Sequence, residues 1–586
     1  VIPFREVWTC DTEFQAPPGE RPHVLCLVAR ELRSGREIRL WRDDLIRLAS
    51  APFNVGADAL FVAFFSSAEL SCFLQLGWPL PVNVVDLFCE HRVSTNGFGV
   101  RNSLIEAAAQ RGLATMESTE KEAKRGLILR QQEWTAAEAA EILHYCAADV
   151  ATTEALFVRM IERGEISWPH ARWRSRYMTA VARMEHEGVP IDTELYTALA
   201  GSWDELKASL VKTVDTAFDL YDGTAFREER FLQFLIGQHL SWPCHASGRL
   251  RLDRQTFSDQ AHAYPELLPV HELRKTLAMM RLTDLAVGND GRNRTLLSPF
   301  STKTGRNAPS NSKSIFGTAK WLRGLIRPPE GYGLAYLDWQ AQEFAIAAAL
   351  SGDERMQTDY AAGDPHLGFA KAARLAPPDA AKETHGLIRE RCKTTNLGVL
   401  YGMQEQGLAL RLNIPIEDAS ELFRLHRGTY RRFWSWSDAV VTTALLRREI
   451  HTAFGWRMQV TAATRPRTLM NWPMQATGAE MMRAAAIAAT EAGIRVAAPV
   501  HDAFLIVAPL DRLEDDAEAM AEIMREAGMT TTGGVPVRVD IYLERVRFNP
   551  GEHRKMFNTA LELLGRTPFP TEVSEVSEVS PLFPLI

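Results

Sequence analysis

Two aspartates sit where apolar runs end: Asp338 after the run at 334–337, and Asp502 between Val500 and Phe504. Carboxylates delivered by the ends of neighbouring strands can hold two divalent cations about 3.5–4 Å apart, which activates a hydroxyl nucleophile and stabilises charge on a transferred phosphoryl group. Either residue alone reads more readily as a turn or cap. The pair gains weight from the charged helical stretch between them, where Arg389, Lys393, Leu397 and Tyr401 follow at intervals of four. Such residues drift only about 40° per step and share one helix face. Cations at one end of that face suit a polyphosphate, and an apolar or aromatic platform at the other suits a planar base. A second group of carboxylates stands near the start. DTEF at 11–14 sets Asp11 and Glu13 on one side of a strand, and YCAAD at 145–149 sets Tyr145 and Asp149 on one helix face.

These residues need a scaffold, and the patterning supplies one. VLCLVA at 24–29 and ALFVAFF at 59–65 read as buried strands, followed by a helical stretch over roughly 133–162. The first section, to about residue 165, is therefore expected to be an α/β domain. From 170 to about 295 the pattern is mostly helical, with Arg183, Glu185 and Glu187 ahead of a turn-like GVP at 188–190, as in a long arm or thumb. A Gly/Ser/Asn-rich loop covers 301–317. YGLAYLDWQAQEFAIAAAL then reads as strand, sharp transition and helix. A second helical block covers 365–447, and LIVAP at 505–509 follows His501 and Asp502 as one limb of a strand–turn–strand unit. TEVSEVSEVS at 571–580 repeats a three-residue unit, as a flexible tail would.

Taken in order, these segments resemble family A DNA polymerases, the group that includes bacterial DNA polymerase I and phage replicative enzymes. LDWQAQEF at 337–344 is similar to the family's motif A, RERCKTTNLGVLYG at 389–402 to motif B and VHDAF at 500–504 to motif C. TKTGR at 302–306, GDPH at 363–366 and RTLMNWPMQATGAE at 467–480 resemble three further family segments, and the ordered set spans 170–560. The resemblance implies that Asp338 and Asp502 are metal ligands. It implies that Arg389, Lys393 and His366 neutralise a triphosphate, and that Tyr401 tests the nascent pair beside Leu397. Glu343 is then the steric gate against ribonucleotides. Arg306 contacts the primer–template minor groove, while Arg467, Asn471, Gln475 and His501 face template and primer.

The front segments resemble a DEDDy 3′–5′ exonuclease, in which Asp11, Glu13 and Asp149 would bind metal and Tyr145 would orient the attacking water. The family's second motif has an Asn and, four residues on, an Asp. Here VAFFSSAEL at 62–70 offers Phe65 and Glu69. Glu69 is expected to be the fourth ligand, with Asp86 as the alternative and a retained but inactive fold as the competing reading. Other departures are Leu397 for an aromatic residue, Ala341 for a polar one, Ala503 for the usual Glu after the motif C aspartate, and Ala476 for Gly. None removes a polymerase metal ligand.

The expected architecture is a multidomain α/β chain. An RNase H-like exonuclease domain at 1–165 precedes a right-hand polymerase at 166–586, with its thumb at about 200–290, fingers at about 365–450, palm from the remainder and a tail from about 570. Within the sequence no stretch is left for a 5′-nuclease domain ahead of the exonuclease-like one. The expected cofactor is Mg²⁺, two ions per active site, with Mn²⁺ able to substitute. The expected partners are primer–template DNA and dNTPs, for a monomer that could take a processivity factor. Net charge is −7, which argues mildly against nucleic acid, but phosphate binding follows the local field rather than the total. The clusters Arg172, Arg174, Arg176 and Arg424, Arg427, Arg431, Arg432 and Arg447, Arg448 each read as a solvated face. Seven single cysteines without a CxxC pair suit a reducing cytosol. The most apolar window, 59–85, is interrupted by Glu69, Pro79 and Pro81, so no membrane span is expected. The first residues lack a basic stretch before an apolar run, so neither is a secretory signal. A cytoplasmic location is expected, nucleoid-associated or in a host cytoplasm if phage-encoded, and the two-part arrangement leans towards a phage-type enzyme. A single-subunit RNA polymerase is disfavoured by Glu343 and the exonuclease-like domain. A noncatalytic DNA-binding protein is disfavoured by the intact Asp338 and Asp502, and an exonuclease alone by Arg389, Lys393 and Tyr401.

Overall fold

Alternating apolar and polar residues in EVWTCDTEFQ and HVLCLVARE form the antiparallel pair β1 (Glu6–Gln15) and β2 (His23–Glu31). With β3 (Glu37–Trp41), β4 (Ala59–Ala63) and β5 (Val84–Asp86) they make a five-stranded sheet of order β3-β2-β1-β4-β5. β4 and β5 run parallel to β1. The structure is a computed structural model and describes residues 2–114, 124–129, 133–280 and 282–569, so the repeat at 571–580 lies outside the described residues.

Two element ends differ from the pattern reading. The strand expected over 59–65 stops at Ala63, because Phe65 takes a left-handed φ of 73° that turns the chain into the helix Ser67–Leu76. Glu69 thereby enters that helix's first turn. The long helix begins at Ala136, where a full capping box between Thr135 and Glu138 satisfies its first N–H groups, and it runs to Glu162 across β1 and β2.

The next helix, Trp168–Glu187, lies between the two halves, packing on Ser67–Leu76 on one side and on Pro466–Glu491 on the other. Burial of Arg174 corrects the solvated-face reading at that position, while Arg172 and Arg176 are exposed as that reading expects. Arg174 is buried and forks onto Glu90 at 2.8 and 2.7 Å, and Arg172 donates to Asn83. Arg172 and Arg176 both face outward, Arg176 paired with Glu491. The helix ends at Gly188, and Val189–Pro190 pairs with Arg292–Asn293. The arm that follows is helical, with one addition. A short hairpin, Tyr221–Asp222 with Ala225–Phe226, and the helix Glu228–Gly237 build a separate core in which Phe231 stacks on Phe257 at 5.3 Å.

The second sheet is fully antiparallel, in the order Val496–Val500, Ala503–Pro509, Tyr332–Trp339, Val539–Glu544. Helices Pro466–Glu491 and Leu513–Thr532 cover one face of it, and the Trp339 indole donates to Met524 O at 3.0 Å. Five helices between Pro365 and Arg447 form a lobe beside it. In that lobe Arg424 pairs with Glu421 and Arg427 covers the Trp434 ring, as a solvated face would. No helix among the described residues is long and apolar enough to cross a membrane.

Candidate active site

Strand register brings the two sequence-distant aspartates together. Asp338 stands directly opposite Ala503, and the Trp339 N–H continues the ladder onto Asp502 O at 3.1 Å. Asp502 occupies a two-residue turn whose first member, His501, holds a left-handed φ of 56°. Such a conformation disfavours a residue with a β-carbon and marks a constrained position beside the carboxylate. Burial, followed by the charges of Asp502 and Asp540, raises the Asp338 pKa, and burial raises that of Asp502. Oδ1 of Asp338 is buried with no hydrogen-bond partner among the described residues. A desolvated anion without a donor is costly unless a cation meets it. Hard carboxylate oxygens suit a hard divalent cation.

Motif A also delivers Glu343. The strand turns directly into Gln342–Ser351 through Ala341, at φ 45° and ψ 44°, which sets Glu343 in the first helical turn just past the strand's end. Glu343 Oε1 accepts from the Tyr401 hydroxyl at 2.6 Å and from Gln475 Nε2, and Arg306 lies 3.7 Å away. Tyr401 closes the helix Gly386–Leu400. Gly402 at φ 68° and the Met403 N–H bonded to Gly398 O end that helix in a Schellman turn. A β-carbon on Gly402 would lie 2.7 Å from Arg467, whose Nε donates to Tyr401 O at 2.8 Å. Arg467, Asn471 and Gln475 repeat every four residues on one face of Pro466–Glu491.

The cationic end of the Gly386–Leu400 face carries its own counter-charges. Arg389 Nε donates to Asp364, the N-cap of Pro365–Ala372, and its NH1 donates to Glu390 at 2.6 Å. Lys393 is 44% exposed and only 4.0 Å from Glu390, so it is the freer cation. His366 is buried, and burial holds its pKa down at about 4, with Arg389 and Lys393 acting in the same direction and Asp364 against them. It is therefore a neutral hydrogen-bonding group, not a charge. The Asn396 amide donates to its Nδ1 at 3.2 Å, which leaves Nε2 as the N–H donor.

Two participants here escaped the sequence reading. Asp540 stands opposite Asp338 on the neighbouring strand and accepts from Gln340. Asn396 orients His366 from the buried side of motif B. No local signal marks Asp540, since V-D-I-Y is an ordinary edge-strand pattern.

In the front domain, oxygens of Asp11 and Glu13 and the Cys146 sulfur lie within 4.8 Å of one another. Cys146 donates to Asp11 Oδ2 at 3.3 Å and is the member that sequence reading missed. Asp149 lies one turn beyond Tyr145 on the same helix and hydrogen-bonds its hydroxyl. Glu69 is 3% exposed, and its Oε2 has no partner among the described residues. Burial and then the Asp11 charge raise its pKa well above the usual range. Asp86 is already engaged, accepting from Ser66 N at 2.6 Å, Ser66 Oγ at 2.7 Å and Cys89 N at 3.0 Å. Phe65 packs edge-on against Phe88.

A mixed sheet of exonuclease type ahead of an antiparallel, carboxylate-bearing sheet with a helical lobe and arm defines the right-hand polymerase class. The solved POL domain of Pol1 from M. smegmatis, in complex with DNA primer-template and dNTP, shares this fold at a TM-score of 0.71. The match covers 93% of this chain and 96% of that one at 18% identity. This chain belongs to DNA polymerase family A, whose sequence model matches residues 252–545. It is 27% identical over 406 residues to the thermostable DNA polymerase I of Thermus aquaticus, covering 64% of this chain and 48% of that protein. It is 24% identical over 380 residues to a DNA polymerase of Mycobacterium phage D29, covering 62% and 61%. The chain thus spans about half the length of the Thermus relative.

Proposed function

We propose that the chain is a template-directed DNA polymerase that adds dNTPs to a primer 3′ end. The observation that carries this reading is the buried, unpartnered Asp338 oxygen beside Asp502, followed along the chain by Glu343, which holds Tyr401 and Gln475. Asp338 and Asp502 would hold two Mg²⁺ ions, which when bound activate the primer hydroxyl and neutralise charge on the transferred phosphoryl. Lys393 and Arg389 receive the triphosphate, with His366 Nε2 as a neutral donor. Glu343 closes the space below the sugar, and Tyr401 borders the nascent pair. Arg306, Arg467, Asn471, Gln475 and His501 line the path of primer and template. The domain reading divides the chain at about 165, with the thumb near 200–290 and the fingers near 365–450.

A second activity, 3′–5′ hydrolysis by the front domain, is favoured by the unpartnered Glu69 oxygen near Asp11, itself grouped with Glu13. Asp86 fits a structural role instead. A 5′-labelled primer on a longer template with Mg²⁺, run with and without dNTPs, tests both activities. Wild type should extend the primer and Asp338→Ala should not. Failure of well-folded wild type to extend overturns the polymerase reading, and extension with ribonucleotides alone favours an RNA polymerase. Shortening without dNTPs that is lost in Glu69→Gln supports editing, whereas no shortening by wild type reduces the front domain to a scaffold.

A further inference from the structure

Resting on that polymerase reading, we propose that Arg92 and Asn96 of the exonuclease-like domain are positioning residues for the loop that presents Arg306 to the primer–template. The two domains would then read the primer end as one unit.

Backbone carbonyls of an irregular surface loop are ordinarily satisfied by water. Those of residues 300–303 are instead held by the front domain. Arg92 Nε donates to Phe300 O at 3.1 Å, and its NH2 reaches Ser301 O at 3.4 Å and Thr302 O at 3.5 Å. Asn96 Nδ2 donates at 2.8 Å to Lys303 O and, also at 2.8 Å, to Arg457 O on the adjoining hairpin. Lys303 O is gripped further by the indoles of Trp456 at 3.1 Å and Trp472 at 3.0 Å. Arg92 and Asn96 are 7% and 1% exposed, and no carboxylate among the described residues pairs with Arg92. Nε and NH2 are therefore committed to the loop, while NH1 donates to Asn102 Oδ1 at 3.3 Å.

The junction also tolerates no side chain at Gly97, where a β-carbon would meet Gln459 O at 2.2 Å. The Gln459 N–H bonds Asn96 O at 2.7 Å. Beyond the held segment the chain folds back on itself. Arg306 N donates to Thr302 Oγ1 at 2.9 Å, and Arg483 NH1 donates to Gly305 O at 2.7 Å. With its backbone fixed from behind, the loop aims Arg306 at Gln475 O, 3.4 Å away, and Glu343, while Lys303 stays exposed. Pre-ordering a loop that contacts a ligand removes the ordering cost from the binding step. Buried behind the loop, Asn96 and Arg92 act through Arg306.

The test is a double-mutant cycle on the full chain with Asn96→Ala, Arg306→Ala and both together. The readouts are primer–template Kd by fluorescence anisotropy, KM for DNA and dNTP, and kcat. Asn96→Ala, which removes the bonds to both Lys303 O and Arg457 O, should raise the DNA Kd and KM roughly tenfold. The dNTP KM and kcat at saturating DNA should stay within about twofold. Acting through Arg306, the double variant should bind no more weakly than Arg306→Ala. Wild-type affinity in folded Asn96→Ala, or multiplying effects in the double variant, overturns the proposal. If Asn96→Ala fails to fold by thermal melting, Arg92→Lys, which keeps the charge but loses the fork, enters the same cycle with the same criteria. The anisotropy arm needs no chemistry, so a wild type that binds DNA without extending it would sink the polymerase reading and leave this one readable.

Discussion

Asp338 and Asp540 stand directly opposite each other on adjacent antiparallel strands, while Ala503 takes the matching place on the other flank of Asp338. Two carboxylates therefore share one face of the sheet, and Asp540 helps raise the proton affinity of Asp338. Removing that charge should weaken the local field for a cation more than it disturbs the fold. Asp540→Asn is expected to raise the Mg²⁺ concentration for half-maximal extension about three- to tenfold, and to cost far less activity than Asp338→Asn. An unchanged Mg²⁺ titration would reduce Asp540 to a partner of Gln340.

Glu343 gathers the Tyr401 hydroxyl and the Gln475 amide on one oxygen. Glu343→Ala should open the sugar side of the site and release both partners. Discrimination against ribonucleotides, read as the ratio of kcat/KM for dCTP and CTP, is expected to fall about a hundredfold. Tyr401→Phe removes only the hydroxyl and should shift the dNTP KM a few-fold while the ratio holds. If Glu343→Ala keeps the wild-type ratio, the gate lies elsewhere.

Glu69 and Asp86 should separate activity from stability. Glu69 has an unpartnered buried oxygen, so Glu69→Gln should abolish primer shortening with little change in melting temperature. Asp86 accepts three hydrogen bonds, and Asp86→Ala should lower stability by about 2–4 kcal/mol. A stable Asp86→Ala protein that has lost hydrolysis would reverse the two roles.

His426 gives the fold a pH limit. It is buried among Phe369, Tyr430 and Trp434, accepts from the Trp434 indole at 3.1 Å, and burial pulls its pKa down to about 3. The unfolded value is about 6.5, so the folded state binds fewer protons. Its contribution is complete above about pH 6.5 and is lost as pH falls towards 3. Between pH 7.5 and pH 5 this one group should cost about 2 kcal/mol, measured as a shift in urea midpoint. His426→Phe should flatten that slope, and an equal slope in both proteins would exclude the group.

Much of the fold was legible because its signals are local. The apolar runs at 24–29 and 334–337 became strands, and the helical blocks at 365–447 became helices. Element ends were less legible. Phe65 leaves the strand pattern through a left-handed φ that no propensity scale assigns to phenylalanine, and the hairpin at 221–226 is too short to show a period. Arg174 was misread because residue type does not reveal that Glu90, 84 positions earlier in the chain, buries it in a fork. His366 was expected to bring charge, but only three-dimensional burial makes it neutral.

By itself the sequence determined the residue types and their short spacings. These are the four-residue repeat from Arg389 to Tyr401, the Asp11–Glu13 alternation and the strand-end aspartates, because helix and strand periods are properties of the backbone alone. Only the tertiary structure decided which distant groups meet. Strand register set Asp540 against Asp338, packing left the Glu69 and Asp338 oxygens without donors, and a domain junction tied Asn96 to Lys303. Desolvation and cross-chain hydrogen bonds depend on distances between segments hundreds of residues apart, and no local pattern encodes those distances.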